Sequence, residues 1–139
     1  MTSLTYRRQM VIEWGHCDPA GIVFNSRFFE FFDSNTWFLL ESGLGVKADE
    51  IKNKLGIIFP LVGAQATFHK PAKFNDPIEV SSRVSEFRRS SFTVEHKITV
   101  GGELAVEGSE TRVWAAQKAD DPDKIAAVAI PAEVIAKFS

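Results

Sequence analysis

The sequence predicts an α+β protein in which one long apolar helix lies against a curled antiparallel sheet of five or six strands. Three observations carry that reading. Residues 25–42 repeat large apolar side chains at helical spacing. From residue 57 onward apolar and polar residues alternate with the period of two that suits half-buried strands. The links between those strands are short, and short links join antiparallel neighbours, because a parallel crossover takes a dozen or more residues. With 139 residues the chain has the length of a single domain, 1–139, able to bury its own core.

The elements follow in order. Thr5 to Trp14 reads as a first strand, with Tyr6, Met10, Ile12 and Trp14 on one face and Arg7, Gln9 and Glu13 on the other. In Asn25 to Ser42, advancing about 100° per residue, Phe28, Phe29, Phe31, Phe32, Phe38, Leu39 and Leu40 sweep roughly 200° of the helix girth. Trp37 falls in the remaining polar arc. Gly43 is placed to end this helix as its C′ residue, and Val46 to Lys54 add a short second helix before Gly56. Strands are predicted at Leu61 to His69, Ile78 to Phe87, Phe92 to Val100 and Leu104 to Gln117. Asn75-Asp76-Pro77 makes one turn, and Gly101-Gly102 makes a two-residue hairpin, since glycine tolerates the positive φ such turns need. Asp120 to Asp123 is a polar loop, Ile125 to Ile130 a last short strand, and Pro131 opens a terminal helix. The long helix belongs on the concave face of the sheet, and dimerisation covers what it leaves bare.

Composition narrows the function. Apolar residues make up 45%, charged residues 24%, and the net charge of -2 offers neither nucleic acid nor a membrane a basic surface, so any anion site must be local. The lone Cys17 excludes an internal disulfide framework and suits a reducing, cytoplasmic compartment. The N-terminal residues lack the apolar stretch of a signal peptide. The phosphate-binding Gly-Lys-Ser loop, the dinucleotide glycine fingerprint and the Gly-x-Ser-x-Gly elbow are missing, which removes several enzyme classes. His16, His69 and His96 sit on different elements without metal-ligand spacing. His96 lies in phase with Phe92, Val94 and Ile98 and reads as a core or interface histidine.

Two stretches remain. In Trp14-Gly-His-Cys-Asp-Pro-Ala-Gly-Ile-Val-Phe-Asn25, Pro19 biases Asp18 toward extended backbone and Gly21 permits a strained turn just before the long helix. Asp18 is then either a turn device or a reactive carboxylate beside unpaired helix amides that carry partial positive charge. His16 and Cys17, adjacent on extended backbone, point apart and make a poor thiol–imidazole pair; His16 and Asp18 share a face. Arg88-Arg89-Ser90-Ser91 is a cationic cluster between two strands, either solvated hairpin charge or a phosphate contact.

Taken together, His16-Cys-Asp-Pro-Ala-Gly-Ile-Val-Phe-Asn25, the Phe-rich helix with Asp33, and Phe87-Arg-Arg-Ser-Ser-Phe92 resemble the hotdog-fold acyl-CoA thioesterases, in particular their 4-hydroxybenzoyl-CoA thioesterase branch. That resemblance implies hydrolysis of an acyl-CoA thioester to a free acid and coenzyme A, with an aromatic acyl group such as 4-hydroxybenzoyl and no cofactor or metal. It implies Asp18 as nucleophile or general base and Asn25 as the helix-start residue whose backbone N–H polarises the carbonyl. Arg88, Arg89, Ser90, Ser91, Gly21 and Phe24 are the implied substrate contacts, with Ser90 standing where the branch carries lysine. Phe59 and Gln65 fall in the segment implied to line the acyl pocket. Homodimers with sites across the interface, or homotetramers, are the implied assemblies. A short-chain aliphatic thioesterase and a non-catalytic acyl-CoA binder are the alternatives.

Overall fold

The structure, a computed structural model, describes residues 3–139, Pro122 by its backbone alone. Strand β1 (Thr5–Val11) leads through a 3₁₀ turn (Trp14–His16) to the long helix α1 (Asn25–Leu44) and the short α2 (Ile51–Leu55). Seven strands follow: β2 (Ile57–Ile58), β3 (Leu61–Phe68), β4 (Pro77–Phe87), β5 (Ser91–Val100), β6 (Glu103–Val113), β7 (Ala115–Lys118) and β8 (Asp121–Ala127). Helix α3 (Ala132–Phe138) closes the chain. The main sheet is antiparallel and open, in the order β1-β4-β5-β6-β3, and β2-β7-β8 form a smaller one. Two sheets replace the single sheet the alternation suggested.

Strand period two sorts the side chains. Ile78, Val80, Ser82 and Val84 of β4, with Phe92, Val94, His96 and Ile98 of β5, are buried against α1. The first half of α1 packs Phe28, Phe31 and Phe32 against Ile78, Val80, Ile98 and Val106. Its second half packs Leu39, Leu40 and Leu44 with Val84, Phe92, Trp114 and Phe138. Between them, at Asn35 and Thr36, the interface turns polar. Trp37 meets Phe59 edge-on and lies under the Arg112 guanidinium, so its place in the polar arc reflects a contact within the chain.

Three expected boundaries shift. Helix α1 runs through Gly43 and stops at Leu44, with Gly45 left-handed at φ +71. Gly43 serves packing instead, because a Cβ there would collide with the Phe138 ring. The predicted strand 104–117 breaks at Trp114, whose N–H leaves the ladder for the Ser90 carbonyl (2.7 Å) while its side chain enters the core. The polar stretch 120–123 is largely strand: Asp121 pairs with Lys118 and opens β8. Gly101 and Gly102 have φ of +58 and +81, the two left-handed positions that the hairpin requires.

Gly108 of β6 faces the Phe32 ring and the Gln65 carbonyl so closely that an added Cβ would press on both. Gly108→Ala is expected to lower unfolding free energy by about 1–3 kcal/mol, the usual range for overpacking. The urea midpoint measures this, with far-UV circular dichroism unchanged.

Candidate active site

After β1 the chain makes a tight hairpin before entering α1. The Asp18 N–H donates to the Ile22 carbonyl and Phe24 N–H to the His16 carbonyl, at 2.9 and 3.0 Å, with Cys17 bridged to Val23 between them. Gly21, at φ +82, makes the reversal, and a side chain there would meet Trp14. Val23 N–H donates to the Ala72 carbonyl and Phe74 N–H to the Gly21 carbonyl, fastening the hairpin to the segment ahead of β4. The hairpin thus folds Asp18 back toward the opening of α1.

Asp18 is half-buried. Its Oδ1 accepts from Ala20 N–H at 2.8 Å, the turn contact expected of an Asp-Pro-Ala-Gly sequence, and Oδ2 has no partner among the described residues. One oxygen orients the carboxylate and the other is available. The helix opposite is uncapped: its N-cap is Phe24, which lacks a capping side chain, and its first turn holds no acidic residue. The Asn25 and Ser26 N–H groups, on exposed residues, have no partner among the described residues. Such an end, on a 20-residue helix, carries about half a positive charge facing solvent. Of the expected substrate contacts, Gly21 and the 56% exposed Phe24 lie here. His16 does not serve Asp18 directly, because its Nδ1 accepts from Glu13 N–H at 2.9 Å.

The cationic cluster lies elsewhere. Residues 88–90 turn between β4 and β5, while Asp18 follows the end of β1 that pairs with Pro77 at the far end of β4. The 11 residues of β4 separate them by roughly 30 Å at about 3.3 Å per residue. One chain therefore does not bring Asp18 together with Arg88 and Arg89. The two arginines also differ. Arg88 is held by Ser91 Oγ (2.9 Å), Thr93 Oγ1 (3.0 Å) and Glu86 (2.9 Å). Arg89, also exposed, has no side-chain partner among the described residues. Ser90 gives its carbonyl to Trp114, and the Ser91 hydroxyl is spent on Arg88. Phe59 is sealed in the core against Trp37, Phe92 and Trp114, whereas Gln65 is exposed on β3.

A second polar constellation lies under α1. Asn35 Nδ2 donates to Ser82 Oγ (2.6 Å), the Ser82 hydroxyl to His96 Nδ1 (2.6 Å), and His96 Nε2–H to Glu110 Oε1 (3.1 Å), in the tautomer the network assigns. The Thr36 hydroxyl also donates to Glu110. Arg112 bridges Glu110 (3.0 Å), the Phe59 carbonyl (3.0 Å) and Asp33 (2.5 Å). Ser82, His96 and Glu110 imitate a hydrolytic triad, but Ser82 and His96 are at most 1% exposed, so substrate has no access to the hydroxyl, and only Glu110 reaches the wall of a cleft. Sequence reading placed His96 in the core and missed its partners. The available signal was phase, since Ser82, Glu110 and Arg112 occupy the inward positions of their strands. Burial by itself pushes the Glu110 carboxyl up, but the His96 hydrogen bond, the Arg112 charge and the Thr36 hydroxyl outweigh it and hold the group below the usual glutamate range.

Asp33 opens this network to the surface. It lines a cleft of about 420 Å³ between α1 and β3, with Phe29, Ser34, Leu61 and Ala64. Strand β3 is one of the two edge strands of the main sheet and is almost wholly exposed, with Leu61 at 50% and Val62 at 62%.

Residues 12–138 match the family model of the thioesterase-like superfamily. The chain is 29% identical over 133 residues to the 4-hydroxybenzoyl-CoA thioesterase of Pseudomonas sp. (strain CBS-3), covering 91% of this chain and 92% of that one. Its structure is similar to that of a mutant 4-hydroxybenzoyl-CoA thioesterase complexed with 4-hydroxybenzoyl-CoA, with TM-score 0.86, 25% identity, and 97% and 99% of the two chains covered. It is also similar to a gentisyl-coenzyme A thioesterase, with TM-score 0.80, 30% identity, and 94% and 99% covered.

Because its carboxyl is depressed in the folded state, Glu110 adds stability above the usual glutamate value of about 4.3 that is lost as pH falls through the lower folded value. Glu110→Gln is expected to cost about 3 kcal/mol at neutral pH, the lower end for breaking a buried pair because Asp33 still faces Arg112. It should also flatten the acid limb of a stability profile measured by urea unfolding from pH 3 to 7.

Proposed function

The chain is a member of the thioesterase-like superfamily, and on that footing we propose that it hydrolyses acyl-CoA thioesters to a carboxylic acid and free coenzyme A. The observation that carries this reading is a half-satisfied carboxylate, Asp18, on the hairpin that leads directly into the uncapped start of α1. A thioester whose carbonyl oxygen accepts from the Asn25 N–H becomes more electrophilic, and the helix end stabilises the oxyanion that forms. Asp18 Oδ2 then attacks the carbon, the C–S bond breaks, coenzyme A leaves as thiolate, and water opens the anhydride to restore the carboxylate. In the other route Asp18 takes the proton of an attacking water. Single turnover in isotopically labelled water separates them, because only the anhydride route leaves label in Asp18.

An aromatic acyl group of the 4-hydroxybenzoyl type suits the chain. Aromatic acyl-CoA esters are named for both relatives above, and the cleft beside α1 offers Phe29, Leu61 and Ala64 as apolar walls. The phosphates of coenzyme A are assigned to the arginine turn, which on one chain lies roughly 30 Å from Asp18. A second copy resolves this. The free edge of β3 begins near the arginine end, opposite Arg112, and finishes near the Asp18 end, opposite Val106. Antiparallel pairing of two β3 strands sets the Asp18 end of one copy beside the arginine end of the other, giving a homodimer with two equivalent sites and leaving further pairing into a homotetramer open to the same symmetry. A cytoplasmic enzyme suits the lone Cys17, and no described helix is long and apolar enough to cross a membrane.

Asp18→Asn is expected to lower kcat on 4-hydroxybenzoyl-CoA at least about 10²-fold with folding retained, the minimum for loss of a general base. Unchanged turnover would make Asp18 a turn residue only, as its bond to Ala20 allows. Arg89→Ala should raise KM for the CoA ester more than Arg88→Ala does, because only Arg89 is free of protein partners, and neither should affect a truncated pantetheine thioester. Mixing Asp18→Asn and Arg89→Ala chains under subunit exchange should restore about a quarter of wild-type activity at low substrate, since each hybrid dimer regains one intact site. No recovery would rule out the shared site.

A further inference from the structure

The loop that carries Asp18 has no regular ladder joining it to β1, yet it must hold a carboxylate in register with the first amides of α1. We propose that His16 is the positioning residue that does this, with imidazole Nδ1 as the peg; the proposal rests on the reading of Asp18 and Asn25 above. Four contacts converge on it. Nδ1 accepts from Glu13 N–H at 2.9 Å, and the Glu13 carboxylate in return accepts from His16 N–H, a reciprocal box at the end of the first strand. The His16 carbonyl accepts from Phe24 N–H at 3.0 Å. The ring stands edge-on against Phe31 of α1, with centroids 5.1 Å apart.

These contacts tie the segment after β1, the body of α1 and the residue immediately before α1 to one residue; the side chain supplies the Nδ1 bond to Glu13 and the ring contact to Phe31, and the backbone supplies the bond to Phe24. Asp18 lies two residues beyond His16 and Asn25 one residue beyond Phe24, so loosening His16 moves the carboxylate and the amide relative to each other. A displacement of about 1 Å at a reacting centre costs on the order of 10²-fold in rate. The peg also has a chemical condition. An imidazole whose Nδ1 accepts a hydrogen bond carries its proton on Nε2, and the doubly protonated ring has no acceptor to offer. Protonation therefore turns the Glu13 N–H against another N–H. The charged residue in contact with His16 comes from its own loop, Glu13. Cys17 on the same loop gives its thiol to the Glu13 carbonyl, and α1 presents the uncharged Phe31.

The test compares His16→Asn, His16→Gln and His16→Ala. Asparagine sets Oδ1 the same number of bonds from the backbone as Nδ1 and never gains a proton, whereas glutamine sets its oxygen one bond further out. The expected results are a kcat for His16→Ala lowered about 10- to 100-fold with KM nearly unchanged, most of that loss recovered by His16→Asn, and little of it by His16→Gln. Unchanged kcat in His16→Ala, or a loss that glutamine repairs as well as asparagine, would overturn the proposal. Where His16→Ala does not fold, the contrast between His16→Asn and His16→Gln decides it. A wild-type chain inactive on every CoA ester would instead overturn the hydrolase reading. The amide resonances of Glu13 and Phe24 then decide the peg: they must shift in His16→Ala and His16→Gln and stay near their wild-type positions in His16→Asn.

Discussion

The buried chain of hydrogen bonds from Asn35 to Asp33 fixes where α1 lies on the sheet. Asp33, Asn35 and Thr36 come from the helix, and Ser82, His96, Glu110 and Arg112 from three strands. Burying Glu110 and Arg112 is costly, and the partners they meet offset that cost, although Asn35 Oδ1 and Arg112 Nε of the same network have no partner among the described residues. Apolar packing alone is more forgiving, since Phe and Leu side chains slide over one another with modest loss. Moving α1 by a single turn, 5.4 Å, would leave the carboxylate and guanidinium facing hydrocarbon. The network thus sets the axial position of the helix, and with it the point in space where the helix begins. The Phe32 ring, stacked flat on His96 at 4.6 Å, joins this polar layer to the apolar layer beside it.

From that anchor the molecule divides into two ends. One holds the hairpin with Asp18 and the bare start of α1; the other holds the arginine turn, Phe87 and the Phe138 ring packed over Gly43. Strand and helix lengths keep these ends apart, and no loop is long enough to fold one onto the other. The exposed β3 strand is one of the two edges of the main sheet, β1 being the other, and has no neighbouring strand on its outer side. Unpaired edges of this kind invite another strand. The proposed division of the ligand contacts between two copies would use this edge.

Much of this was legible in the sequence because it rests on local chemistry. The spacing of Phe28, Phe31, Phe32, Leu39 and Leu40 is what a helix on a sheet requires, and α1 spans 25–44 accordingly. Gly101-Gly102 makes the turn that its φ freedom allows. What was not legible depends on contacts distant in sequence. Gly43 looked like a helix stop because glycine often is one, and only the arrival of Phe138, some ninety positions later, explains why a small residue is needed. The break at Trp114 depends on the Ser90 carbonyl, and periodicity carries no trace of it. Glu110 and Arg112 occupy inward-phased positions that the sequence reading passed over, and their pairing with Asp33 and His96 emerges only when strands and helix assemble. The difference between Arg88 and Arg89 depends likewise on Ser91, Thr93 and Glu86 folding around one of them.

Phe24 at the helix start is a weak choice for stability. Serine or aspartate there would cap the open amides and strengthen the fold by about 1 kcal/mol. An engineer seeking heat resistance by conventional rules would make that change early, because the position is exposed and tolerant. The gain would come from plugging the socket into which the carbonyl of the ligand is read to fit. Thermal robustness and turnover therefore compete at a single residue, and a hardened variant of this chain is best sought anywhere but there.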